Sequence, residues 1–220
     1  MSISEIYFNN LKILHLCKLN LKHSYISVKK NGEIILKTPK VSNDFIQKLL
    51  IDKEAWIRKQ LKVVEKNPPK KVNIQDEIIL FGEIFSIDID EAKELREYLK
   101  NIDVSNINNI SKCYDKFYKN YAQNYITPRV EHYSNIMNLS YSEIKFRKMR
   151  SRWGSCSSRG VITLNTGLIK IDKRLIDFIV VHELAHLAHM NHSKKFHSLV
   201  EQYMPNAKVL NRELKHFSLS

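Results

Sequence analysis

Apolar residues recur along the chain at a spacing near two in some stretches and near 3.6 in others, and their order predicts an α+β fold. Residues 25–28 and 33–36 alternate as strands around Lys29-Lys30-Asn31-Gly32. Asn-Gly is a strong hairpin signal because the tight turn needs positive φ at its centre. Ser42 then caps a helix that runs through Phe45, Ile46, Leu49 and Leu50, with a possible break at Asp52, and on to Trp56, Ile57 and Leu61. Asn67-Pro68-Pro69-Lys70-Lys71 stops it and reads as a linker. A β-rich segment follows at 78–87, with Gly82 at a turn or bulge, and then a short charged helix over 91–99. The Asn-rich connection at 101–109 marks a boundary between an accessory N-terminal module, 1–108, and a second domain, 109–220. Residues 1–20 show no regular period.

The next helix starts near Ser111 and carries Tyr114, Phe117, Tyr118, Tyr121 and Tyr125 at helical spacing. Such a stripe can stack bases, but a packed core face is the simpler reading. Thr127-Pro128 reads as a fresh helix start, with Thr as the cap and Pro in the first turn. Strands are expected near 144–149 and over 161–165, with a turn-rich loop at 153–160 between them. On the strand and its extension, Arg150 and Arg152 would alternate and point the same way. Together with Asn165 they are the candidate substrate-binding residues, directed at an anionic group; the plainer role for the arginines is pairing within the fold. Trp153 is expected to anchor packing, and Val209, Leu210, Leu214 and Phe217 predict a closing amphipathic helix.

The helix from Leu175 onward is capped by Asp172 and contains His182-Glu183-Leu184-Ala185-His186. At 3.6 residues per turn His182 and His186 stack on one face, so both imidazoles can hold one ion. Glu183 stands beside the first ligand, where it can take a proton from a zinc-bound water whose pKa falls from ~15.7 to ~7. The plainer reading is a buried helix with two satisfied histidines. Because this helix is apolar nearly all round, unpartnered histidines in it would be costly. A catalytic zinc needs a third protein ligand, for which His189, His192 and Glu201 compete. His189 lies roughly 10 Å along the axis from His182, too far to share the ion with both. His192 is reached if Asn191 turns the chain back in a left-handed conformation, after which Ser193 caps a new helix with Phe196, Leu199, Val200 and Tyr203 on one face. Glu201 would serve if that second helix supplied the ligand.

The blocks Arg150-Ser151-Arg152-Trp153-Gly154-Ser155-Cys156, Val181-His182-Glu183-Leu184-Ala185-His186-Leu187 and Asn191-His192-Ser193-x-x-Phe196 resemble the YgjP-like family of zinc metallohydrolases. That family is related more distantly to the SprT and Spartan-type proteases, which share a His-Gly-x-x-Phe element. The likeness runs from about Lys22 to about Leu214. It implies a zincin-like core in which His182, His186 and His192 hold zinc and Glu183 is the base. One departure is His197, where relatives usually carry Trp.

Composition adds bounds. With 43% hydrophobic residues in 220, a sizeable core is available, in one large or two small domains. The net charge of +13 favours acidic or phosphate-bearing partners. No helix-turn-helix or aromatic RNA motif accompanies it. Three cysteines without a Cys-x-x-Cys pair, an opening without a signal peptide and no run of ~20 apolar residues predict a soluble, cytoplasmic protein that does not meet a membrane. The leading expectation is thus a zinc-dependent peptidase acting on peptide or protein. Alternatives are a zinc hydrolase of nucleotides or other phosphoanhydrides, and a nucleic-acid-associated protein with structural zinc.

Overall fold

The structure is a computed structural model that describes residues 2–29, 31–66, 73, 76–215 and 217. Lys30 of the expected hairpin turn and the linker at 67–71 lie outside the described residues. The chain divides into two units, Met1–Lys71 and Val72–Ser220.

The first unit is a mixed four-stranded sheet with one helix. β1 (Ser2–Phe8) and β2 (Leu11–Cys17) form a hairpin, β3 (Tyr25–Val28) and β4 (Ile34–Thr38) a second, and β2 and β4 pair in parallel to give the order β1-β2-β4-β3. The first turn is Asn9-Asn10, both at positive φ (44° and 63°), a backbone that asparagine tolerates better than most residues. Along β4 every second residue points inward, and Ile34 and Leu36 meet Leu50 and Ile57 of α1 (Asn43–Lys66) in a core of their own. Ser42 caps α1 by accepting from the Phe45 amide at 3.2 Å. The helix continues unbroken past Asp52, because Ile46, Leu50 and Ile57 keep one buried face through that point while Asp52 is exposed.

In the second unit β5 (Glu77–Leu80) and β6 (Glu83–Ser86) form a hairpin around Phe81 and Gly82, both at positive φ. α2 (Lys93–Lys100) follows, and then α3 (Ile107–Met137), which Asn106 caps. α3 is one helix, not two. Pro128 removes one backbone donor from its interior, but Ile126 and Val130 are buried on either side, and tertiary packing outweighs the lost bond. The aromatic stripe is core: the Tyr114 hydroxyl donates to the Glu77 carbonyl at 2.9 Å, and Tyr118 accepts from the Ile79 amide at 2.9 Å. These bonds, with Ile78 and Leu80 in the same apolar cluster as α3, place the β5–β6 hairpin in the second unit. The boundary expected at residue 108 is therefore corrected to the earlier division, since the hairpin and α2 have no core apart from α3.

A three-stranded sheet, in the order β7-β9-β8, completes this unit. β7 (Glu143–Arg147) is parallel to β9 (Val161–Asn165), and β8 (Gly154–Cys156) is antiparallel to β9 at the opposite edge. β7 ends at Arg147, so Arg150 and Arg152 lie in a loop and do not alternate along a strand. α4 (Lys173–Ala188) packs beside β8 and α3, and α5 (Lys194–Tyr203) and α6 (Ala207–Leu214) pack against α4. In α6 the buried positions are Ala207, Leu210 and Leu214, while Val209 is exposed; Phe217 lies beyond the helix and is exposed too. Among the described residues no helix is long and apolar enough to cross a membrane.

Candidate metal centre

α4 is apolar on most of its surface because it is buried on most sides; Leu175, Ile176, Val181, Leu184 and Ala185 are at most 1% exposed. Asp172 caps it, accepting from the Arg174 amide at 2.8 Å. One turn apart near its end stand His182 and His186. The helix stops at Ala188, where His189 adopts an extended backbone. Asn191 is not left-handed, as the turn argument expected. The chain reverses because His189 leaves the helix earlier, and its freed carbonyl accepts the Nδ1–H of His186 at 3.1 Å. This bond fixes the His186 tautomer and leaves Nε2 as a lone-pair donor.

The reversal brings His192 over α4. One ring nitrogen from each of His182, His186 and His192 lies within 4.8 Å of the others, and the Nε2 atoms of His182 and His192 are 3.1 Å apart. Tetrahedral zinc with ligands at 2.0–2.1 Å requires nitrogens roughly 3.3 Å apart, so the cluster is near the size such an ion needs. Burial lowers the pKa of His182 to about 4 and also lowers that of His186, so both rings are neutral at neutral pH. Three imidazoles converging with their acceptor nitrogens are poorly satisfied by one another and well matched to a cation. The donor set fits zinc.

Of the rival third ligands, Glu201 pairs with Lys208 at 2.9 Å, and His189 contributes its carbonyl rather than its ring. Phe196, from the first turn of α5, forms the floor. Its ring centre is 4.9, 4.6 and 4.8 Å from those of His182, His186 and His192, and the residue is 1% exposed. Ser193 sets this turn by accepting from the Phe196 amide at 3.4 Å. His197 stacks on the outer side of His192 at 6.2 Å and 26°.

Glu183 is 5% exposed, and burial pushes its carboxyl up to about 8, with Arg152 opposing that shift. Arg150 and Arg152 are exposed, and among the described residues neither is in an ion pair. Asn165 has another task than meeting substrate. It is 2% exposed, its side-chain amide donates to the carbonyls of Met149 and Arg152 at 2.8 and 3.0 Å, and its oxygen accepts from the Gly167 amide at 2.9 Å. It thereby ties the arginine loop to the end of β9. Trp153 packs partly buried against the core, and Cys156 is a free thiol whose pKa burial raises.

Two contributors escaped the sequence reading. Phe196 was read as a core position on α5 and as part of the block that resembles the family, but not as a floor beneath the histidines. Gly154, where a Cβ would meet Glu183, was read as a loop residue within the arginine block, although a glycine in a strand can mark a close approach of backbone.

No curated protein matches the chain. Among solved structures, the metallopeptidase zymogen abylysin of Pyrococcus abyssi is 25% identical, with a TM-score of 0.38 over 40% of this chain and 90% of the other. The metallopeptidase zymogen jannalysin of Methanocaldococcus jannaschii is 23% identical, with a TM-score of 0.37 over 40% of this chain and 92% of the other. Residues 22–217 match the family described as YgjP-like, metallopeptidase domain, which takes in the arginine loop, the histidine helix and the turn to Phe196. The chain belongs to the YgjP-like metallopeptidase-domain family.

Proposed function

We propose that this protein is a zinc-dependent peptidase with a zincin-like core, in which His182, His186 and His192 hold the ion and Glu183 is the general base. The observation that carries the reading is the convergence of three imidazole nitrogens within 4.8 Å, with the buried Glu183 next to His182 along α4. Among the described residues the set has three members, and Glu201 pairs with Lys208 instead, which suits a catalytic site better than a closed structural one. When bound, zinc supplies a Lewis acid that polarises a scissile carbonyl and lowers the pKa of water from ~15.7 to ~7. Glu183 takes the proton of the attacking water and returns it to the leaving amine. His186, held by the His189 carbonyl, keeps its Nε2 aimed at the ion.

The edge of the small sheet supports a peptide substrate. In the β8–β9 pair the Asn165 amide donates to the Trp153 carbonyl and the Ser157 amide to the Val161 carbonyl, so residues 153, 155 and 157 face β9. By the alternation of an antiparallel ladder, the backbone N–H and C=O groups of Gly154 and Cys156 face outward. An extended peptide adding to that edge would lie next to Glu183, with Arg152 near enough to meet an anionic group or a developing oxyanion.

Glu183→Gln tests the mechanism. The variant should retain one zinc per chain by elemental analysis and lose at least ~10³-fold in kcat on unfolded protein, within the range of lost general-base catalysis. Wild-type turnover by Glu183→Gln would rule the mechanism out. Nucleotides, assayed in parallel, test the phosphoanhydride alternative that the exposed Arg150 and Arg152 leave open.

A further inference from the structure

Gly154 has no backbone need to be glycine. It is the first residue of β8, and its φ is not among the positive ones that L-residues avoid. What it provides is space. A Cβ at this position would stand 2.6 Å from both Cγ and Oε1 of Glu183 and 2.7 Å from Cδ. Carbon atoms in contact prefer about 3.5–4.0 Å, so one side would have to yield by roughly 1 Å.

The backbones on both sides are held. Gly154 is paired with Leu164 across the sheet, and the Trp153 carbonyl before it accepts from the Asn165 amide at 2.9 Å. The Asn165 side chain secures the loop that leads in, through the Met149 and Arg152 carbonyls. On the other side, Val181, Leu184 and Ala185 seat the helix in the core with no exposure. The Glu183 side chain is the part free to give way.

We infer that Gly154 is a positioning residue: its bare backbone forms the wall against which the Glu183 carboxylate is seated. The inference rests on the proposed role of Glu183 as base. It extends the functional set from α4 to the edge strand, and it explains why the strand that would receive a peptide also governs the base. A misplacement of about 1 Å at a catalytic group costs on the order of 10²-fold in rate.

The test is Gly154→Ala in the full chain, in wild-type and Glu183→Ala backgrounds. In the wild-type background we expect one zinc per chain, KM within about threefold and kcat lower by about 10²-fold. The Tm should fall, and most of that fall should vanish in the Glu183→Ala background, where the atoms that meet the new methyl are gone. If Gly154→Ala alone does not fold, a folded, zinc-loaded double variant supports the contact, and an unfolded one overturns it. Unchanged kcat, or an equal loss of Tm in both backgrounds, also overturns it. A wild-type zinc protein without peptidase activity refutes the proposed function instead, while the stability comparison still decides whether Gly154 seats Glu183.

Discussion

At the scale of single residues, the histidine grouping was legible where geometry follows spacing. His182 and His186 stack one turn apart on α4, and His192, one of three candidates for a third ligand, joins them within 4.8 Å. Asn165 was misread because the end of a strand near a cleft suits a substrate contact and a structural bracket equally well. Only its three backbone partners distinguish the two. Glu183 carries a testable titration. In the metal-free protein its folded pKa is about 8 against an ordinary 4.5, so the folded chain holds that proton more tightly than the unfolded one. This contribution to stability is complete below about pH 4.5 and lost as pH rises through about 8. Glu183→Gln has no such loss. Metal-free Glu183→Gln should therefore gain in Tm on metal-free wild type between about pH 5 and pH 8, and parallel melting curves would refute this. His182 acts oppositely, losing stability as pH falls from 6.5 through about 4, but it is common to both proteins and drops out of the difference.

Among elements, those with strong local signals came out as read: the hairpin to β4, the Ser42, Asp172 and Ser193 caps, and the helices α4 and α5. The errors lie where local and tertiary preferences conflict. Asn9-Asn10 closes the first hairpin without the glycine that usually marks such a turn, which hid β1 and β2. Pro128 suggested a helix start, yet α3 runs through it on the strength of its buried neighbours. Since Pro128 itself is exposed, replacing it with Ala restores a backbone donor without disturbing the core. Pro128→Ala should raise the stability of the second unit by ~1–3 kcal/mol in urea denaturation, given the ~3 kcal/mol by which proline disfavours a helix interior. A destabilised variant would mean that the proline shape is itself used in packing.

For the whole molecule, the boundary was the least legible feature. An Asn-rich stretch looks like a linker from its composition, but 101–106 joins two helices that share one core. Each unit closes its own apolar cluster, with all buried members of one lying between Phe8 and Ile57 and of the other between Ile78 and Leu214. Calorimetry of the zinc-loaded chain should accordingly resolve two transitions. Only the one belonging to Val72–Ser220 should move with free zinc, by up to ~4 kcal/mol of stabilisation at a thousandfold excess over Kd. A single cooperative transition shifted as a whole by zinc would contradict this.

The three clustered histidines and their aromatic floor all come from one uninterrupted run, His182 to Phe196, whereas the backbone next to Glu183 comes from Gly154, far earlier in the chain. On the proposed reading, holding the cation draws on that one run, whereas seating the base also needs the distant strand; a preparation would then be able to be fully metallated and still inert, and its metal content would be no measure of how much of it can work.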